Sequence, residues 1–149
     1  MLLSKFDLIV IHCSGTRADR DVTEEDLGVG HRRRGLNGVG YHFYIRKNGS
    51  IKTTREIERI GAHAKGHNLN SIGICYEGGL DCHGRPADTR TEWQIHSMNV
   101  LILTLLRDYP GCRICGHRDL SPDLNGNGEI EPEEWVKACP CFDVTKEWR

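Results

Sequence analysis

The stretch Phe6-Asp7-Leu8-Ile9-Val10-Ile11-His12-Cys13, residues 6–13, decides the fold. In an extended chain successive side chains alternate, so Leu8 and Val10 face one side and Ile9 and Ile11 the other. Both faces are apolar, which predicts a strand set inside a sheet and covered on both sides. The strand runs into His12, a polar group at the end of a rigid element. On residue type alone, His12 reads either as a satisfied strand-end histidine or as a functional group held out by the scaffold.

Working outward, Thr23 with Asp26 predicts a helix N-cap, Asp standing where a capping box prefers Glu. The helix runs to about Arg34 and stops at Gly35, weakened by Gly28 and Gly30. Tyr41–Arg46 and Ile51–Thr54 read as strands around Lys47-Asn48-Gly49-Ser50. Asn-Gly between such runs predicts a hairpin whose two turn residues both take positive φ. A polar stretch, 61–70, precedes a strand over Ser71–Tyr76, and 80–90 reads as loop. Thr91-Glu92-Trp93-Gln94 is a capping box, and Ile95, Met98, Leu101, Ile102, Leu105 and Leu106 recur at helical spacing. They predict a helix over 91–108, ended by Pro110-Gly111. A short strand near 113–115 and a last helical turn from Asp143 complete a mixed α/β reading: a central mixed sheet packed by helices in one domain, residues 1–149.

The composition narrows the class. A chain of 149 residues with 38% hydrophobic residues suits one domain with its own core. A net charge of −1 gives no reason to expect a nucleic-acid partner, and Arg32-Arg33-Arg34 reads as a solvated helix face. No run approaches the roughly 20 apolar residues of a membrane span. The start, residues 1–15, lacks the basic opening and small-residue cleavage site of a secretory signal, so synthesis in the cytoplasm is expected. Seven cysteines cannot all pair, and in a reducing compartment they are thiols, ligands or small core residues.

Zinc prefers His and Cys, and a catalytic site keeps three protein ligands and one open position. His12, His117 and Cys139 each stand at an element end or in a late loop, but eight histidines and seven cysteines allow many other triples. A structural four-cysteine site from Cys112, Cys115, Cys139 and Cys141 is one rival. Against it, Cys112 and Cys115 point to opposite faces of a strand.

Several stretches together resemble one family. They are Ile11-His12-Cys13-Ser14, Val39-Gly40-Tyr41-His42-Phe43, the Asn48-Gly49 hairpin, Ala62-His63-Ala64-Lys65-Gly66, and Asn70-Ser71-Ile72-Gly73-Ile74. Gly116-His117-Arg118 and Lys137-Ala138-Cys139-Pro140 complete the set. In order and spacing, over nearly the whole chain, they are similar to the type 2 N-acetylmuramoyl-L-alanine amidases. That group includes small bacteriophage lysozymes and animal peptidoglycan recognition proteins, and the phage-lysozyme branch uses cysteine as third ligand. The resemblance implies zinc on His12, His117 and Cys139, a catalytic pair Tyr41 and Lys137, and His63 lining the substrate cleft. It implies hydrolysis of the amide between N-acetylmuramic acid and L-alanine in peptidoglycan. A phage or prophage lysin, monomeric and acting on the wall after release, fits best; a recycling enzyme or a toxin would look alike. Some family members bind peptidoglycan without cutting it, so a non-catalytic binding module is the alternative. His42 reads as structural, facing away from Tyr41, and His31, His67, His83 and His96 as surface or packing residues. Glu77, near a strand end, is a minor cleft candidate.

Residues 123–134, Asp-Leu-Asn-Gly-Asn-Gly-Glu-Ile-Glu-Pro-Glu-Glu, match an EF-hand calcium loop. Asp123, Asn125 and Asn127 take positions one, three and five, and Gly128 takes the sharp turn at six. Glu129 offers its carbonyl, Glu131 acts through water, and Glu134 clamps with both oxygens. The other reading is a polar Asn-Gly turn before an acidic helix start. Pro122 leaves no room for an entering helix, so this is a lone loop inserted between His117 and Cys139. The insertion predicts that calcium orders the zinc site.

Overall fold

The computed structural model describes residues 6–148; residues 1–5, on which the expectation of no leader partly rests, lie outside them. The chain runs through β1 (Leu8–Cys13), β2 (Thr16–Arg17), α1 (Glu24–Arg33), β3 (Phe43–Ile45) and β4 (Ile51–Thr53). It continues through β5 (Ser71–Tyr76), β6 (Gly79–Leu80), α2 (Glu92–Asp108), β7 (Arg113–Gly116) and α3 (Val144–Glu147). The main sheet has the order β4-β3-β5-β1-β7. β4 is antiparallel to β3 and the other pairs are parallel, so the sheet is mixed.

β1 lies between β5 and β7, and all six of its residues are buried. Its alternation sorts the core. Ile9, Ile11 and Cys13 join Met98, Leu101, Ile102 and Leu105 of α2, with Phe142 and Val144. Leu8 and Val10 take the other face with Cys115 and Leu120. Tyr44 and Cys75 meet Leu27 of α1 and Val39 in a separate cluster. By the period of two, His12 shares the face of Leu8 and Val10, away from α2.

Both capping boxes form. Thr23 Oγ1 accepts from Asp26 N–H at 3.1 Å and Asp26 Oδ2 accepts from Thr23 N–H at 3.0 Å, so Asp closes the box in place of Glu. Thr91 and Gln94 do the same at the head of α2. Gln94 is fully buried and also donates to the carbonyls of Ile45 and Glu77, which ties the helix to two strand ends.

The hairpin departs from the two-residue turn expected. Gly49 alone takes positive φ (+88°), and Asn48 does not. Gly49 N–H donates to Arg46 O, Arg46 N–H donates to Ser50 O, and Asn48 Oδ1 accepts from Ser50 N–H. This is a three-residue loop, a turn followed by one left-handed residue, so only the glycine carries the conformational demand. The 80–90 stretch is also not all loop. β6 pairs in parallel with β2, and Leu80 bridges to Pro86. Two residues per strand are too few to leave a periodic signal.

Glu77 is a structural anchor. Its buried carboxylate accepts from Val22 N–H (2.6 Å), Arg46 Nε (2.8 Å) and Lys47 N–H (3.0 Å), which uses it outside the cleft. Cys112 packs at the edge of the α2-side core and Cys115 on the opposite face, as the alternation requires.

Candidate metal centre

A cleft of about 760 Å³ opens on the face of the sheet that carries His12. His12 sits near the carboxyl end of β1, the place where open α/β sheets present ligand groups. His117 follows directly on β7, the parallel neighbour of β1, so the register of the two strands fixes their separation. The His12 and His117 rings lie 4.6 Å apart between centroids. Cys139 arrives from the late loop. Its Sγ accepts from Cys13 N–H at 3.2 Å and lies 3.9 Å from His12 Nδ1. Arg118 N–H donates to Cys139 O, holding the loop against the turn that carries His117.

One ligand atom from each of His12, His117 and Cys139 lies within 4.8 Å of the others. Among the described residues no other such group of His, Cys, Asp or Glu forms. The protonation states suit a soft cation. His12 is held well below its ordinary pKa by burial first, then by His63, His117 and Lys137. His117 is lowered by burial and by the nearby positive Lys137. Both imidazoles are therefore neutral, with a lone pair to give. The Cys139 thiol is shifted downward, chiefly by its hydrogen bond with the Cys13 side chain, against the opposing effect of burial. Two neutral imidazoles and an acidified thiol are the donor set that zinc favours.

Tyr41, His63 and Lys137 all line this cleft. The Tyr41 ring stands 4.9 Å from that of His12 and 5.4 Å from that of His31. Burial pushes its phenol well above the ordinary value, so it stays protonated. His63 does more than line the wall. Its Nδ1 is 2.8 Å from His12 Nε2, and its Nε2 is 3.2 Å from Ser71 Oγ. Burial, then the neighbours His42, His117 and Arg55, push it down to about 3. Gly73 makes room for it: a Cβ there would stand 2.7 Å from His63 Cδ2.

His42 is structural, as its position predicts: Nδ1 accepts from Gly73 N–H and Nε2 meets Arg59 O at 2.8 Å. His31 belongs to the cleft, although its sequence context reads as surface or packing. It is buried, and its Nδ1 accepts from Gly40 N–H at 2.9 Å, next to Tyr41. Its nine-residue separation from Gly40 gives no local signal. Arg34 and Lys65 also line the cleft, and nothing in their spacing marks either for it.

The loop 123–134 is a separate matter. Two of its carboxylates, those of Asp123 and Glu134, serve the loop's own backbone. Asp123 accepts from Gly126 and Gly128 N–H, and Glu134 from Leu124, Asn125 and Glu131 N–H. Asn125 and Asn127 donate to Glu131. Residues 122–129 are exposed, and Glu129 is among them. The exiting turn is a short 3-10 segment, Pro132–Glu134. The loop is fastened to the site by Arg118 stacked over Trp135 at 3.9 Å and by Val136 N–H donating to Ser121 Oγ.

The chain is similar in sequence and in fold to known proteins. An endolysin of Escherichia phage T7 is 35% identical over 142 residues, covering 95% of this chain and 85% of the phage protein. A protein of Haemophilus influenzae is 54% identical over 96 residues, covering 64% of this chain and 83% of that protein. Among solved structures, the N-acetylmuramoyl-L-alanine amidase LysC from Clostridium intestinale URNW superposes with a TM-score of 0.71 at 27% identity, covering 99% of this chain and 85% of LysC. The family model described as N-acetylmuramoyl-L-alanine amidase matches residues 3–140, which take in all of His12, Tyr41, His63, His117, Lys137 and Cys139. The chain belongs to the type 2 N-acetylmuramoyl-L-alanine amidase family.

Proposed function

We propose that this chain is a zinc-dependent amidase that hydrolyses the bond between N-acetylmuramic acid and L-alanine in bacterial peptidoglycan. The observation that carries the reading is the convergence of His12, His117 and Cys139 from three separate segments on the floor of one cleft. Their side chains would hold the metal through His12 Nδ1, a nitrogen of His117 and Cys139 Sγ. When bound, zinc supplies a water acidified toward neutral pH and a Lewis acid for the scissile carbonyl. A ligating Nδ1 must be a bare lone pair, so the proton of neutral His12 sits on Nε2 and is donated to His63 Nδ1. His63 then carries its proton on Nε2, toward Ser71 Oγ. This relay fixes the tautomer and the ring plane of the ligand.

Tyr41 keeps its phenolic proton and stands beside His12, so it can donate to the oxygen that gains charge in the tetrahedral intermediate. Lys137, two residues before Cys139, brings a positive charge to the same space, felt by both histidines. The two together supply the stabilisation that the developing oxyanion requires. A pure binding module would have no use for two neutral imidazoles and a thiol aimed at one point. The endolysin relatives support a lysin role. Reaching the wall after release and working as a monomer belong to the same proposal. Calcium in 123–134 is part of the reading. Its support is the twelve-residue pattern and the left-handed Gly128 at position six (φ +85°).

The test is digestion of purified peptidoglycan with product analysis by mass spectrometry, beside a Cys139→Ala control and a zinc measurement. Release of intact stems beginning at L-alanine by the zinc-loaded protein alone is the expected result. A folded, zinc-loaded protein that releases nothing would overturn the reading.

A further inference from the structure

The cleft has a charge pattern that the proposed reaction uses only in part. Arg34, Lys65 and Lys137 line it, and among the described residues no aspartate or glutamate does. The chain as a whole carries 20 Lys and Arg against 21 Asp and Glu, so a wall of cations alone departs from the average surface. Lys137 is already taken up by the proposed reaction, its charge felt by His12 and His117, so two cations remain.

Arg34 closes α1 at its carboxyl end. Its neighbours Arg32 and Arg33 are outside the cleft, but the positive charge of Arg34 is felt by both His31 and Tyr41. Lys65 sits two residues after His63, before the left-handed Gly66 (φ +86°) that turns the chain. Both side chains are exposed, and neither takes part in any ion pair found among the described residues. A cation at the mouth of a cleft with low-dielectric walls attracts carboxylates and orients them. An arginine suits a planar carboxylate in particular.

We infer that Arg34 and Lys65 form a carboxylate-binding wall that selects acidic peptide stems, those whose residue after L-alanine keeps a free α-carboxylate in place of a carboxamide. The inference rests on the amidase reading for the identity of the peptide. Removing the cation at either position should lower affinity roughly tenfold, an effect carried by KM more than by kcat. The preference weakens with salt, as exposed charge pairs do.

The experiment uses two synthetic probes, N-acetylmuramoyl-L-alanyl-γ-D-glutamyl-L-lysine and the same compound with the glutamyl α-carboxylate as carboxamide. Binding is followed by calorimetry and hydrolysis by mass spectrometry, for the zinc-loaded chain and for Arg34→Ala, Lys65→Ala and the double variant. Unaltered melting temperatures confirm that these exposed substitutions leave the fold intact. The expected result is a preference for the carboxylate probe in both readouts, reduced by each variant and erased by the double one. Equal binding and equal cleavage of the two probes overturns the wall and leaves the amidase reading standing. A preference untouched by the double variant also overturns it. Preferential binding without hydrolysis supports the wall and overturns the amidase reading. Neither binding nor hydrolysis of either probe overturns both.

Discussion

Two regions of this chain carry metal-ligand patterns, and they are built in opposite ways. The donors of the cleft, His12, His117 and Cys139, come from separate segments, His12 and Cys139 standing 127 residues apart, and meet in space around one point. The donors of the 123–134 loop lie within twelve residues and face their own backbone, with Asp123 and Glu134 accepting five N–H groups between them. A local pattern is easy to read because sequence spacing is its geometry, yet it can satisfy itself without an ion. A distant constellation is invisible in spacing, yet once assembled it aims several lone pairs at the same place. Convergence that costs burial of polar groups is the stronger sign of a metal.

The largest test of that contrast is Cys139→Ala. It should remove zinc retention and take several kcal/mol from transition-state stabilisation, a loss of roughly a hundredfold or more in hydrolysis. Zinc measurement after gel filtration, alongside stem release, checks it. The corresponding change in the loop, Glu134→Gln, should leave zinc content unaltered, against the sequence-based expectation that calcium orders the zinc site, because Glu134 bonds only to the loop's own backbone. If it strips the zinc, the two regions are one site and the contrast breaks.

His63→Ala comes next. Loss of the partner on His12 Nε2 should weaken zinc affinity roughly 10–100-fold, read by competition with a chromophoric chelator. If His63 serves only the substrate, KM moves and zinc affinity does not. Gly73→Ala approaches the same point from the sheet. The added Cβ collides with the His63 ring, so overpacking of about 1–3 kcal/mol is expected in denaturant unfolding, with zinc affinity falling in step.

The pH dependence of the metal-free protein is a milder effect. His12 and His63 titrate in the folded state below their unfolded value near 6.5, so between the two values the unfolded chain binds more protons. Stability is thus full above about 6.5 and is lost as pH falls toward the folded value, about 3 for His63. Melting temperature should drop steadily from pH 7 to pH 5, and flat melting there would mean the imidazoles are not buried neutral. The smallest effect is calcium binding. At free calcium several times its dissociation constant the gain is roughly 1 kcal/mol, a rise of about 2–4 °C in Tm. Asn125→Ala should abolish that rise, and a protein whose melting ignores calcium has an Asx-bonded loop and no ion site.

Much of the scaffold is legible in the sequence. The interior place of β1, both capping boxes and the long helix α2 each have a local cause: alternation, a side chain reaching three residues along, or a repeating apolar face. The turn at Asn48-Gly49 can be placed but not typed, because the same dipeptide serves a two-residue and a three-residue loop. The strands β2 and β6 escape a sequence reading, since two residues carry no period. Around the site, the place of His31 in the cleft is not legible from its neighbours, because its partner Gly40 lies beyond any local pattern, whereas Glu77, only a minor cleft candidate, is anchored outside the cleft.

By itself, then, the sequence determined which segments are rigid and, by its family likeness, which residues belong to the centre. Local propensities and side-chain alternation act within a few residues and need no partner. Only the tertiary structure decided that His12 meets Cys139 and His63, that Ser71 lies within reach of His63, and that Arg34 and Lys65 line the cleft while no carboxylate among the described residues does. Those facts depend on parallel register and on a late loop fastened by Arg118 and Trp135. Contacts between distant segments are set by packing of the whole chain, and no spacing along it encodes them.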